Sequence, residues 1–216
     1  MQPCLHTRLK FVVIGDVATG KTTVTERILH PDNVTTVGRT MPTVGMNCDM
    51  KHIDDRRYGR IDLLLVDTAG DDRFNGAALT QMYYKNAHGF LVLFDITNEQ
   101  SFHNVTQIWL PRVRAVMDPT AVCCFCLVGN KTDRVAERRV SSEDALQLAI
   151  SYGWPYIELS ARETSAEEMM TPFMLLIVPL VEAGVGRVDE AEEQRRLRLT
   201  QNESAARSGG AACCQD

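Results

Sequence analysis

Apolar runs and amphipathic stretches alternate along the chain. Residues 9–15, 89–95, 121–129 and 155–159 are short, nearly continuous apolar runs, which predicts strands buried on both faces. Residues 45–53 and 60–66 flank the polar stretch 54–59 and predict a hairpin. Helical spacing of apolar positions covers 22–29, 72–85, 100–116, 142–152 and 166–181. A helix separates most successive strands, so the connections are crossovers and the sheet is mainly parallel. The predicted fold class is α/β: a six-stranded, mostly parallel sheet with one antiparallel strand and helices on both faces. Pro172 falls near the start of the last helix, where it is tolerated, while Pro179 lies deeper and is expected to kink or end it.

Beyond Gly184 the composition turns polar and charged. The expected organisation is therefore an N-terminal extension (1–8), one globular domain (9–183) and a flexible tail (184–216), with some helical character where Glu192 and Arg196 stand four apart. At 216 residues, 44% hydrophobic and 24% charged, the chain has the make-up of a soluble globular protein, large enough to bury a real core. A net charge of −5 argues against a nucleic acid as general partner. Seven cysteines, three of them at 123, 124 and 126 inside one apolar run, do not form a disulfide pattern and fit a reducing compartment. No secretory signal opens the chain, and Gln2 excludes N-myristoylation. The longest apolar stretch, 173–181, is far short of the ~20 residues that cross a bilayer. Membrane attachment, if any, is expected at the ends.

Gly15-Asp16-Val17-Ala18-Thr19-Gly20-Lys21-Thr22 matches the phosphate-loop pattern G-x-x-x-x-G-K-[ST], directly after a predicted strand and opening a helix. Glycines let the backbone wrap so that successive amides point at phosphate oxygens, and the helix N-terminus adds its positive end. The candidate phosphate-binding residues are Asp16, Val17, Ala18, Thr19, Gly20, Lys21, Thr22 and Thr23. Lys21 neutralises phosphate charge and the Thr22 hydroxyl suits a Mg²⁺ shell. Taken alone, this predicts a nucleoside triphosphate without saying which.

The base is addressed by Asn130-Lys131-Thr132-Asp133 at the end of a strand. A carboxylate at Asp133 accepts from guanine N1–H and its exocyclic amine together, an arrangement adenine does not match. Asn130 is expected to brace neighbouring loops and Lys131 to cover the ring. Ser160, Ala161 and Arg162, after the last strand, offer a backbone N–H for the guanine oxygen. Asp67-Thr68-Ala69-Gly70 places an acid at a strand end, with Asp67 as a metal ligand through water and the Gly70 amide for a γ-phosphate. In Pro42-Thr43-Val44-Gly45, Thr43 supplies a second hydroxyl to the metal. The metal set is thus Thr22, Thr43 and Asp67. Two segments held only while a γ-phosphate is present make a conformational switch.

These motifs, in their order and spacing along the chain, resemble the Ras superfamily of small GTPases over about residues 9–183. The similarity is strongest to the Rab branch, in Thr43-Val44-Gly45, Asp67-Thr68-Ala69-Gly70 followed by Arg73-Phe74, Tyr83-Tyr84-Lys85, the run from Gly89 to Ser101-Phe102, and Trp109-Leu110. The resemblance implies the P-loop small-GTPase fold and a GTP/GDP switch with Mg²⁺ that directs vesicle traffic. It further implies effector, exchange-factor and activating partners at the switches, a monomer, and residence on the cytoplasmic face of an endomembrane with a cytosolic pool.

The departures matter. Asp71 stands where the family usually has glutamine, and Ala18 where it usually has glycine. A carboxylate cannot donate to a γ-phosphate while orienting water, so hydrolysis is expected to be slow. The candidate catalytic residues are Lys21, Thr43 and Asp71. The stretch from Thr22 to Thr43 is long and lacks Phe or Tyr, which leaves His30 as a candidate against the base, and Met46-Asn47-Cys48 departs from the family's usual sequence.

Cys213-Cys214-Gln215-Asp216 resembles the double-cysteine endings that carry two geranylgeranyl groups, and it does not read as C-a-a-X. Between residues 186 and 213, five arginines face five acids, so no polybasic stretch reinforces a lipid anchor and two chains are needed for stable attachment. Three readings remain open: a hydrolysing GTPase, a GTP-binding module with negligible hydrolysis, and a P-loop small-molecule kinase. The guanine motif weighs against the kinase.

Overall fold

A computed structural model describes residues 6–31, 46–68, 82–118 and 120–189. In chain order the elements are β1 (His6–Ile14), α1 (Lys21–Leu29), β2 (Met46–Asp55), β3 (Gly59–Thr68), β4 (Gly89–Asp95) and α2 (Glu99–Asn104). A π turn (Val105–Trp109) then leads directly into α3 (Leu110–Val116). β5 (Cys124–Asn130), a 3₁₀ segment (Thr132–Glu137), α4 (Ser142–Tyr152), β6 (Tyr156–Leu159), α5 (Ala166–Met169) and α6 (Thr171–Glu182) complete the domain.

The sheet runs β2-β3-β1-β4-β5-β6, with β2 antiparallel to β3 and every other pairing parallel. This is the expected α/β architecture. Alternation along β1 explains the two-faced core. Leu9, Phe11 and Val13 join α1 (Val24, Ile28) and α6 (Phe173, Ile177) on one side. Val12 and Ile14 join Trp109, Val113, Ala145 and Ala149 on the other. Buried on both faces, β4 from Gly89 to Phe94 and the second half of β1 from Phe11 to Ile14 are apolar, which is what made them legible as continuous runs, while Arg8 and Lys10 mark the part of β1 that is not fully covered.

Several boundaries differ from expectation, each for a physical reason. β1 starts at His6, inside the segment expected to be an extension. Its first residues are held by residues 186–188, which lie along the edge that β4 does not reach. Arg8 N–H donates to Gly186 O (2.8 Å) and Val188 N–H to His6 O (2.9 Å). The helix expected over 166–181 is two helices meeting at Met170. α5 has its own capping box, in which Ser165 accepts from the Glu168 N–H and the Glu168 carboxylate reaches back. α6 continues three residues past Pro179 to Glu182. The carbonyl that Pro179 leaves without a donor belongs to Leu175, which is 40% exposed, so water can satisfy it and the helix need not end. The helix expected over 100–116 contains a π turn, in which Leu110 N–H bonds Val105 O. The helix expected over 72–85 lies mostly outside the described residues. Cys126 is buried in β5, and burial pushes its thiol and that of Cys123 up to about 12, so neither is a nucleophile.

Candidate functional site

The C-terminal ends of β1, β3, β4 and β5 converge on one crevice of the parallel sheet, the usual place for a ligand in an open α/β fold. The loop after β1 bends sharply there. Gly15 sits at φ +145°, and a Cβ on it would come within 2.2 Å of the Leu93 carbonyl oxygen. Gly20 sits at φ +97°, and a Cβ there would meet Asn130 Nδ2 at 2.2 Å. Both positions therefore require glycine. Gly20 is also the N-cap of α1 and brings no capping side chain, so the first amides of that helix face the crevice without one. Ala18 occupies the left-handed region at φ +61°, an uncommon place for a residue with a Cβ, and is exposed.

Lys21 is 5% exposed, and its ammonium donates to the Asp16 carbonyl at 2.8 Å. Burial lowers its pKa to about 8 against the opposing pull of Asp67 and Asp16. It is still mainly charged at neutral pH, a desolvated cation that an incoming anion would stabilise. Thr22 Oγ1 donates to Asp67 Oδ2 at 2.6 Å. α1 and β3 thus bring together two hard oxygen donors next to the lysine. That donor set fits Mg²⁺ rather than a thiophilic metal. Thr23 lies in the first turn of α1.

The second half of the crevice is knitted to the first through Asn130. Its Nδ2 donates to the Thr19 carbonyl (2.7 Å), and its Oδ1 accepts from the Ala161 and Lys131 amides (2.9 and 2.8 Å). Asn130 is 1% exposed. It braces the loops, as expected. Arg27 of α1 adds a bond to the Ala161 carbonyl at 3.0 Å. Asp133 Oδ1 accepts from Ser160 Oγ at 2.7 Å, and that oxygen in turn accepts from the Arg162 and Glu163 amides. The Ser160 amide donates to Thr164 Oγ1. All three amides of residues 160–162 thus have protein acceptors, and one must be shared or released to serve a ligand oxygen.

Lys131 lies at φ +72° with its ammonium 2.6 Å from Asp95 Oδ2. Burial pushes the Asp95 carboxyl up, but Lys131 and the two bonds from Thr97 outweigh it and hold it below the usual range. His30 is exposed at the C-terminus of α1. Thr43, Gly70 and Asp71 lie outside the described residues, as do Cys213 and Cys214.

Three residues join the site without having been singled out for it from sequence. Asp95 fixes Lys131. Asn104 and Trp109 reach the phosphate loop from the helical segment after β4: Asn104 Nδ2 donates to Asp16 Oδ2 (2.6 Å) and Trp109 Nε1 to Asp16 Oδ1 (2.7 Å). The sequence signal was a polar residue and a tryptophan five apart, which an ordinary helix would place on different sides.

Comparison with known proteins agrees with this geometry. The Ras family model matches residues 10–179. The chain is 34% identical over 207 residues to Ras-related protein Rab-26 of Rattus norvegicus, spanning 95% of this chain and 74% of that protein. It is 35% identical over 186 residues to Ras-related protein Rab-39A of Mus musculus, spanning 82% and 81%. To Ras-related protein Rab-21 of Canis lupus familiaris it is 30% identical over 217 residues, spanning 95% and 91%. On its sheet, its interlocked loops and these relatives, the chain belongs to the Ras family of small GTPases and to the Rab branch within it.

Proposed function

We propose that this chain is a GTP/GDP-dependent switch acting in membrane trafficking. The observation that supports this most is the Asn130 clamp, which ties the phosphate loop to both base motifs through one buried side chain. A loop preorganised in this way presents its amides and Lys21 to a triphosphate without further ordering cost. Asp133 supplies the acceptor that selects guanine, and Lys131 lies along the same loop to cover the ring. One Asp133 oxygen already takes a bond from Ser160, which orients the carboxylate while leaving it a second oxygen.

In this reading Thr22 and Asp67 hold Mg²⁺, directly and through water, together with Thr43. The metal neutralises phosphate charge when bound. Lys21, Thr43 and Asp71 form the catalytic group, and Gly70 contacts the γ-phosphate. The GTP-binding domain runs from β1 at His6 through the residues 186–188 paired against it, and the tail that follows ends in Cys213 and Cys214, which take two prenyl chains. Effectors and regulators act at the switch segments on the cytoplasmic side of an endomembrane. No described helix is long and apolar enough to cross a membrane, so attachment would rest on the tail.

A second reading, GTP binding with negligible hydrolysis, is favoured by the exposed methyl of Ala18 at the top of the phosphate loop and by Asp71 in place of glutamine. Nucleotide extracted from purified protein, competition between guanine and adenine nucleotides, and single-turnover phosphate release test both. The expected outcome is guanine selectivity, with Asp71→Gln releasing phosphate faster than wild type, on the order of a hundredfold, the lower end for one general acid–base contribution. Equal preference for adenine removes the proposal. A wild-type rate at or above the Asp71→Gln rate removes its slow-hydrolysis component. Phosphate transfer to an added small-molecule acceptor would favour a kinase instead.

A further inference from the structure

Asp16 is the first residue of the phosphate loop after Gly15, and it is bonded on two sides at once. Its main-chain oxygen accepts from Lys21 Nζ (2.8 Å) and from Thr19 Oγ1 (2.9 Å). Its carboxylate takes one bond on each oxygen, from Asn104 and from Trp109. Both donors lie about ninety residues away in sequence and belong to a different layer of the fold. A surface aspartate in a ligand loop would ordinarily be left to water. This one is held by two charge-assisted bonds, the strong class of hydrogen bond.

The π turn makes this arrangement possible. In an α-helix, residues five apart point about 140° away from each other. The wider i→i+5 turn between Val105 and Leu110 reduces that to about 50°, so Asn104 and Trp109 converge on one carboxylate. Trp109 is 2% exposed and packed among Val92, Phe94 and Val113, and the Arg112 guanidinium lies 5.2 Å from its ring centre. Its indole is therefore fixed by the core, and the bond it donates fixes the loop. π turns add no stability of their own and tend to persist where a site uses them.

We propose that Asn104 and Trp109 are positioning residues for nucleotide retention. By gripping the Asp16 carboxylate they set the position of the Asp16 carbonyl and hence of Lys21, so the helical segment from Glu99 to Val116 controls how long a nucleotide stays in the phosphate loop. This rests on the guanine-nucleotide reading above. It makes the segment a lever, since displacement of the π turn loosens the loop without touching either base motif.

The test is release of fluorescently labelled GDP from the full chain in magnesium, in a double-mutant cycle. Trp109→Phe keeps the ring and removes the N–H, and Asn104→Ala removes the second donor. Each is expected to speed release about tenfold in the wild-type background, the scale of one charge-assisted bond. In an Asp16→Ala background, each is expected to change release by less than about twofold, because the acceptor is already gone. A merely structural tryptophan would have the same effect in both backgrounds, and that result overturns the proposal. So does release unchanged by both substitutions. Should Trp109→Phe fail to fold, Asn104→Ala, half-buried and outside the apolar core, completes the same cycle. A second readout is the indole N–H resonance of Trp109, which should shift between GDP and GTP-analogue forms while that of Trp154 stays. Wild-type protein that binds no guanine nucleotide defeats the underlying reading before any substitution is made, and the proposal with it.

Discussion

β3 carries two buried aspartates five residues apart, and they live in opposite circumstances. Asp62, 4% exposed, lies toward the start of the strand among basic side chains from three strands. His6 Nε2 and His52 Nδ1 stand 2.7 Å from its two oxygens, Arg60 Nε 2.9 Å and Arg8 Nε 3.7 Å away. Asp67, 2% exposed, lies at the other end, where it accepts from the Thr22 hydroxyl and shares the crevice with the Lys21 ammonium. At Asp62 the protein compensates the charge with its own side chains. At Asp67 it gathers acid, hydroxyl and lysine into a set that suits a cation and an anion arriving together. One strand thus contrasts an acid that serves the fold with one that, on the proposed function, serves a ligand.

Two substitutions probe that contrast. The largest effect is expected from Asp67→Ala, which should lower guanine-nucleotide affinity in magnesium by about 100-fold, the upper end for loss of an outer metal partner. Its unfolding midpoint without ligand should stay near wild type. Titration with and without magnesium reads both, and an equal loss in the two conditions would deny Asp67 its metal role. Asp62→Asn should do the reverse, costing about 2 kcal/mol of stability while nucleotide affinity is preserved. That figure is reduced from the buried-pair range because Arg8, Arg60 and His52 are half exposed.

Asp62 also carries a pH signature. Burial pushes its carboxyl up, but bonds from His52, Arg60 and His6 outweigh burial and hold it well below the usual carboxylate range. A depressed folded value means this stabilisation is fully present above about pH 4 and fades as the pH falls further. Denaturant unfolding from pH 6 to pH 2 should show that component in wild type and not in Asp62→Asn. The smallest effect is Ala18→Gly. Relieving the φ of +61° should add about 0.5–1 kcal/mol net of the entropy glycine loses, raising the melting temperature slightly.

Much of this could be read from the residues. β4 and the second half of β1 announce themselves because a parallel strand covered on both faces has little room for polar side chains. The phosphate loop is legible because Gly15, Gly20, Lys21 and Thr22 each answer a steric or electrostatic demand at a fixed offset. The Asp62 cluster is not, because it depends on register: His6 pairs with Arg60 and His52 with Asp62 across separate strands, and no local spacing encodes that. The π turn escapes for a different reason. One extra residue in a helical turn needs no glycine or proline, so the 3.6-residue pattern over 100–116 runs through it unbroken. The break at Met170 is concealed likewise, although the Ser165 and Glu168 capping box was present in the sequence and marks where a helix starts.

The short pairing of residues 186–188 against the start of β1 determines where mechanical load would enter the domain. Tension on the following chain reaches the Gly186 and Val188 bonds first, at the sheet end farthest from the phosphate loop. A tug from a tethering surface would therefore unzip two main-chain links beside His6 and Arg8 before straining the nucleotide end. The N-terminal edge of β1 acts in this respect as a sacrificial fastening.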